Sequence, residues 1–256
     1  MNEIDFTDKV AIITGASSGI GAETALAFAE LKAKLTLVGR DETRLTNIAE
    51  QCKSKHNQTP LCLFLDLTHE NSCETVVNTT IEKYGKIDVL INCAGKIILS
   101  SLHDKSMAAF DEVMNINFRV PFYLSQLTLP HLKNTKGNIV NIGSSLAKRT
   151  KPGFLPYIVT KAAVAMLAKQ TAEELALEGV RINTISPGMT RTNILSNLNF
   201  DAGWQKLVYE RMATTLPSRK IIEPTEVARL VCIVASNVFP SLTGSEILMD
   251  GAACMV

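Results

Sequence analysis

Tyr157 and Lys161 stand four residues apart in the stretch YIVTK. On a helix that spacing stacks two side chains on one face. A free phenol titrates at about 10, too high to exchange protons near neutral pH. An ammonium beside it favours the phenolate and lowers that value. The pair therefore reads as a tuned proton donor, against the plainer reading of two surface residues on a helix. Of the four tyrosines, Tyr157 alone has a lysine at the fourth following position. Ser144 precedes Tyr157 by thirteen residues, at the end of an apolar run, and offers a hydroxyl that could hydrogen-bond a substrate oxygen.

A second constellation is TGASSGIG, residues 14–21. Gly15, Gly19 and Gly21, with Ser17, Ser18 and Ile20 between them, follow an apolar run and open a helical stretch. Glycines there permit a tight turn and close backbone approach, and the helix N-terminus offers free N–H groups to a pyrophosphate. The next apolar run ends in Val38-Gly39-Arg40. In dinucleotide folds an acidic residue at this point accepts a ribose 2′-hydroxyl, whereas an arginine accommodates a 2′-phosphate. No carboxylate occurs before Asp41, and Arg40 carries a fork suited to phosphate. NADP(H) is the expected cofactor, against a merely solvated arginine. Asp66, followed by Leu67 in LDLT, ends the third run. It reads either as an acceptor for adenine or as the N-cap of the following helix.

The elements that must carry these groups are short apolar runs: 10–14, 35–39, 61–66, 88–92, 138–143, 181–186 and 246–250. They are continuous rather than alternating, as in strands covered on both faces. Amphipathic stretches lie between them, such as 22–33 and 71–85, the latter closed by Gly85 as a helix C-cap. Strand–helix alternation implies an α/β fold, a Rossmann-like doubly wound parallel sheet of about seven strands in a single domain over 1–256. The stretch 189–223 breaks the rhythm. It is long, holds the single tryptophan and leaves the carboxyl end of a strand, where open α/β sheets bind ligands. It reads as a lid, against a surface excursion that merely packs.

The bulk numbers narrow the field. The chain has 256 residues, 46% of them apolar, and a net charge of +1. That suits one large core and argues against a nucleic-acid partner. The basic cluster KRTK, Lys148–Lys151, reads as a solvated loop. No apolar run approaches the roughly 18 residues of a membrane span. The acidic N-terminal stretch has no signal core, so a cytoplasmic location is expected. The six cysteines form no CxxC pair and no metal-binding spacing, so no metal is expected. They read as mostly buried free thiols, as suits a reducing compartment.

TGASSGIG, the NCAG of Asn92–Gly95, Ser144 with Tyr157 and Lys161, and the following PGMTRT together resemble the short-chain dehydrogenase/reductase family. The likeness runs from about Lys9 to Gly251, in the family's single-domain branch. It implies that Tyr157 is the general acid in carbonyl reduction and that Lys161 lowers its pKa and binds the nicotinamide ribose. Ser144, with Ser145 as its competitor, would steady the substrate oxygen. Asn117, with Asn115 as a competitor, would hold a water that relays protons to Lys161. Asn92, Ala94 and Gly95 would line the adenine ribose. The main chain of Pro187, Gly188 and Thr190 would hold the nicotinamide carboxamide, with Thr192 near the diphosphate. Homotetramers or dimers, formed partly through helices near 110–133 and 157–177, are the expected assembly. Cys93, Gly143, Val120 and Ala252 depart from the commonest family pattern, and Cys93 beside the cofactor suggests sensitivity to thiol reagents.

Candidate pocket residues are largely apolar: Ile97, Ile98, Leu99, Phe154, Leu155, Ile194, Leu195, Leu198 and Trp204, with Ser145 beside them. They suggest a lipophilic ketone or aldehyde, such as a steroid, retinoid or isoprenoid. A 3-oxoacyl-thioester reductase is the alternative, weighed against by Glu178 where carrier-docking members tend to be basic. A catalytically silent NADP-binding sensor and a different Rossmann-type enzyme, such as a methyltransferase, remain as other classes. Neither needs Ser144, Tyr157 and Lys161 together.

Overall fold

The computed structural model describes residues 4–198 and 202–255, with the side chains of 196–198, 202 and 205 outside the description. Strands β1 (Val10–Thr14), β2 (Lys34–Gly39), β3 (Leu61–Phe64), β4 (Val89–Asn92), β5 (Asn138–Ile142), β6 (Arg181–Pro187) and β7 (Glu246–Met249) form one parallel sheet. Their order is β3-β2-β1-β4-β5-β6-β7. The order reverses between β1 and β4, and the ends of those strands frame a crevice at the carboxyl edge. The central strands are buried apart from Lys34 at the start of β2, while the edge strands β3 and β7 are only partly covered. The continuous Val/Ile/Leu runs have this cause: successive residues face opposite sides, and both sides are packed.

Helices α1 (Gly19–Glu30), α2 (Glu42–His56), α3 (Ser72–Tyr84), α4 (Ala108–Met114), α5 (Val120–Thr135), α6 (Leu155–Leu177), α7 (Ala202–Thr215) and α8 (Pro224–Ala235) surround the sheet. On one face Ala11, Ile13, Leu37 and Ile91 pack against Ala25 and Phe28 of α1 and Val231 of α8. On the other, Ile12, Leu90, Ile139 and Ile182 pack against Val76 of α3, Leu124 of α5 and Ala168 of α6. Alternate residues of one strand thus feed two cores.

Local chemistry marks the helix ends. Asp41 caps α2, its carboxylate accepting from Arg44 N at 2.9 Å. Gly85 ends α3 with φ +76, a conformation that favours glycine. A reciprocal Glu223–Glu226 capping box with Pro224 opens α8. The first helix begins at Gly19, three residues before the amphipathic pattern, because the glycine turn itself supplies its first turn.

Candidate active site

At the carboxyl end of β1, Gly15 has φ +67, and a Cβ there would lie 2.9 Å from the Ala94 main chain. A Cβ on Gly21 would lie 2.3 Å from the Gly15 carbonyl oxygen. The turn and the NCAG segment therefore interlock backbone to backbone. Thr14 fixes their separation: its hydroxyl accepts from the N–H groups of Cys93 and Ala94 at 3.0 and 3.1 Å. The first turn of α1 carries no acidic residue, and Ser18 at its N-cap makes no side-chain cap bond. Its N–H groups thus face the turn without an internal anion, a fit for a diphosphate.

At the end of β2, Arg40 is mostly exposed and pairs with Asp66 at 3.3 Å. Asp66 also accepts from the main-chain N–H and hydroxyl of Thr68 at 2.9 and 2.7 Å. These hydrogen bonds and the guanidinium hold its carboxyl below the usual range, against a burial effect in the opposite sense that is the largest single influence. Asp66 is not the cap of α3, since Asn71 occupies that position. Leu67, beside it, is buried, its carbonyl 3.6 Å from Cys73 Sγ. Asp41 is engaged in capping α2 and pairs with Arg44 at 3.1 Å.

Deeper in the crevice the residues singled out for catalysis meet. Ser144, Tyr157, Lys161 and Asn117 are all buried. Tyr157 and Lys161 lie one turn apart on α6, as the spacing requires. Ser144 hydrogen-bonds to Tyr157 and also accepts from Leu146 N at 3.2 Å. Ser145 is also buried, and its main-chain carbonyl accepts from Cys254 Sγ at 3.3 Å. A Cβ on Gly95 would lie 3.3 Å from Asn117 Oδ1 and 3.6 Å from Lys161 Nζ, so glycine lets the NCAG turn reach the cluster.

Two features of this cluster were not legible in the sequence. Lys161 Nζ donates to the Ile142 carbonyl at 2.7 Å and lies 5.8 Å from the Tyr157 ring centroid. Burial pushes the Tyr157 phenol up, with the Ser144 hydrogen bond opposing it, and burial also lowers Lys161 to about 8. The second concerns Asn117, which sits in a π-helical turn, Asn115–Arg119, between α4 and α5. Its Oδ1 accepts from Lys96 N at 2.8 Å, and its Nδ2 donates to Lys96 O at 3.0 Å and Thr160 Oγ1 at 3.2 Å. Both amide hydrogens are thus used to hold the segment after β4 against α6. The π-turn also re-aims main-chain carbonyls, which gives a water beside Lys161 a main-chain acceptor.

Asn92 is likewise committed inward. Its amide nitrogen donates to Asn141 Oδ1 across β4 and β5 at 2.9 Å, while its own Oδ1 is buried without a partner. Pro187 ends β6, and Gly188 N donates to the Met249 carbonyl at 2.9 Å. Thr190 is bridged to Ile222, which closes the base of the 189–223 excursion. Thr192 packs against Gly19, where a Cβ would meet its side chain at 3.0 Å.

The expected pocket set divides. Ile97, Ile98, Phe154 and Ile194 gather around Tyr157, joined by Val113 and Leu146, which the sequence did not single out. Leu195 belongs to a separate cluster under α7. Leu99 and Leu155 are exposed, Trp204 is 57% exposed, and the Leu198 side chain lies outside the described residues. Cys93 also departs from expectation: burial pushes its thiol up to about 12, which suppresses the nucleophilic thiolate. Lys148–Lys151 are exposed, as the solvated reading expected, with Lys148 paired to Glu246. Of the six cysteines, all free, Cys52, Cys73 and Cys232 are buried and the other three partly so. No helix among the described residues is long and apolar enough to cross a membrane, and they hold no group of metal-ligating side chains.

A doubly wound sheet with a glycine turn at its switch point and a buried Ser–Tyr–Lys cluster defines a nucleotide-dependent oxidoreductase architecture. The short chain dehydrogenase family model matches residues 9–203, and the chain belongs to that family of short-chain dehydrogenases/reductases. It is similar to the L-fucose dehydrogenase of Bos taurus, 30% identical over 97% of this chain and 90% of that one. It is also similar to a 3-oxoacyl-[acyl-carrier-protein] reductase of Thermotoga maritima, 31% identical over 95% and 96%. A short-chain dehydrogenase/reductase of unknown function from Caenorhabditis elegans, solved with cofactor, superposes with a TM-score of 0.93 at 30% identity, covering 98% of this chain and 97% of that one. The protein is therefore a short-chain oxidoreductase that uses a nicotinamide cofactor.

Proposed function

We propose that this oxidoreductase is an NADP(H)-dependent reductase of a lipophilic ketone or aldehyde, with Tyr157 as general acid. The observation that carries the reading is the burial of Tyr157 beside Ser144 within an apolar shell of Ile97, Phe154 and Ile194. A phenol pushed upward by burial is protonated at neutral pH, the form needed to give a proton to a carbonyl oxygen. The cofactor, when bound, supplies the hydride. Ser144 donates to the same oxygen and steadies the charge that develops on it. Lys161, anchored on the Ile142 carbonyl, orients the nicotinamide ribose, and Asn117 fixes the segment after β4 on which the adenine ribose rests.

Support for NADP(H) comes from Arg40. Its partner Asp66 is a partly exposed carboxylate, and a surface pair of this kind is worth only about 0–1 kcal/mol. Arg40 is thus available to a 2′-phosphate, while Asp41, the carboxylate next in sequence, is held at the N-terminus of α2. The excursion 189–223 serves as a lid in this reading, the enzyme is cytoplasmic and it works as a homo-oligomer. The alternative, a 3-oxoacyl-thioester reductase, draws on the Thermotoga maritima relative. Glu178 stands where carrier-docking members tend to be basic, although Lys133 pairs with it at 2.6 Å and Lys136 Nζ donates to its main-chain carbonyl at 3.2 Å.

The test is cofactor oxidation, with NADPH and NADH, against lipophilic ketones and aldehydes and a 3-oxoacyl thioester, plus the reverse reaction with L-fucose. Turnover on a lipophilic carbonyl with NADPH preferred is expected. Tyr157→Phe should keep cofactor binding but lower turnover about 10²–10⁴-fold. Equal use of NADH would sink the cofactor assignment, and near-normal turnover in the variant would remove Tyr157 from the chemistry.

A further inference from the structure

Tyr209 is a tyrosine for which the sequence offered no role. It lies on α7 and is 5% exposed. Its hydroxyl accepts from the main-chain N–H of Thr192 at 3.1 Å and donates to the carbonyl of the same residue at 2.8 Å. The Thr190 carbonyl lies farther off, at 3.4 Å. One side chain therefore serves both main-chain groups of Thr192, as an adjoining strand would. The ring is held in turn. The Arg191 guanidinium covers it at 5.2 Å from the centroid and is itself tied to Glu223 at 3.1 Å. Leu195, Leu216, Ile221 and Ala253 pack in the same cluster.

Thr192 is the next link. Its side chain stands where a Cβ on Gly19 would approach within 3.0 Å, at the uncapped first turn of α1. A continuous chain of contacts thus runs from α7, through Tyr209 and Thr192, to the glycine turn at the other end of the sequence. The excursion is pinned at its base by the Thr190–Ile222 bridge, so the hydroxyl fixes the part of the segment just beyond that pin.

We propose that Tyr209 is a positioning residue for the dinucleotide: it sets Thr192 over the glycine turn and makes cofactor affinity depend on the seating of α7. The inference rests on the reading of residues 14–21 as the diphosphate site. A purely structural tyrosine would alter stability alone. Loss of the hydroxyl leaves the Thr192 N–H without its acceptor and frees the segment to move away from Gly19.

The experiment is fluorescence titration of NADPH into the full chain and into Tyr209→Phe, Thr192→Ala and the double variant, with melting temperatures and steady-state kinetics alongside. In Tyr209→Phe the NADPH dissociation constant should rise roughly 5- to 20-fold, with kcat at saturating NADPH within about twofold. Because Tyr209 acts through Thr192, the double variant should weaken binding by clearly less than the product of the two single effects. An unchanged dissociation constant in Tyr209→Phe, with or without a lower melting temperature, would overturn the inference, as would fully multiplicative effects. Failure of the unsubstituted chain to bind any dinucleotide would remove the cofactor reading itself, and this inference with it.

Discussion

Burial governs the proton chemistry of Tyr157 and Lys161. Each loses water on entering the site, and in each the uncharged form gains: the phenol moves up and the ammonium moves down, to about 8. For Lys161 the consequence for stability has a definite sign. Its ordinary value is 10.5, so between about 8 and 10.5 the unfolded chain holds a proton that the folded chain has released. Unfolding free energy from this group therefore rises with pH across that window. The cofactor-free protein should gain thermal stability relative to Lys161→Met as pH is raised from 8 to 9.5. Parallel melting curves for the two over that range would show that the lysine is not held in a desolvated site. The YIVTK spacing made the shared face of the pair legible in the sequence, since i and i+4 are neighbours on any helix. It could not reveal that Nζ bonds the Ile142 carbonyl, because that acceptor comes from a strand nineteen residues away. Cys93 shows the same limit: its position beside the cluster was legible, but the upward push on its thiol follows from desolvation that only the packed fold creates.

At the scale of elements, the C-terminal turn after β7 carries an uncommon conformation. Gly251 and Ala252 both have positive φ, +61 and +66. Glycine suits that region, whereas alanine there brings its Cβ against the carbonyl. The turn persists because Asp250 binds the N–H groups of Ala252 and Cys254 at 3.0 and 2.9 Å, and Ala253 is buried under α7. Ala252→Gly should therefore stabilise the protein by about 0.5–1 kcal/mol, after allowance for the extra freedom glycine has when unfolded. Chemical denaturation checks this, and a lower midpoint at unchanged slope would show that the turn carries no strain. The departure of Gly143 has the opposite logic, since a Cβ there would sit 2.4 Å from Ser186 Oγ, which donates to Glu246 at 2.8 Å. Strands and glycine turns were legible because burial on both faces imposes apolar continuity and close backbone approach imposes glycine. The π-helical turn at 115–119 was not, since it is one residue of extra backbone with no composition of its own. Tyr209 was hidden for a related reason: a buried tyrosine on an amphipathic helix looks the same whether or not its hydroxyl meets a main chain.

At the scale of the molecule, the helical layer over one face of the sheet is not smooth. Between α5 and α6 a groove of about 270 Å³ stays open, lined by Leu129 and Leu167 and floored by Ile139 and Ile182 of the sheet itself. Beside it Phe122 is 40% exposed and Met166 is 51% exposed. A groove between two helices, rimmed by exposed apolar side chains, marks a face that gains by being covered. A second copy of the chain fits the requirement, because two equivalent helix pairs related by a twofold axis can fill each other's grooves. Such an interface needs roughly 1,200–2,000 Å² of total buried area, within reach of paired helices of sixteen and twenty-three residues. Light scattering should therefore return a dimer or a higher even multiple at micromolar concentration. Phe122→Glu combined with Met166→Glu should shift the mass to one chain, since each copy would then bring two carboxylates into an apolar contact. NADPH binding should survive in that variant, because Gly15, Arg40, Tyr157 and Lys161 are assembled within a single chain and none lines the groove. A monomeric parent protein, or a double variant that keeps its oligomeric mass, would show that the subunit contact lies elsewhere and that the groove is covered by something other than a second copy.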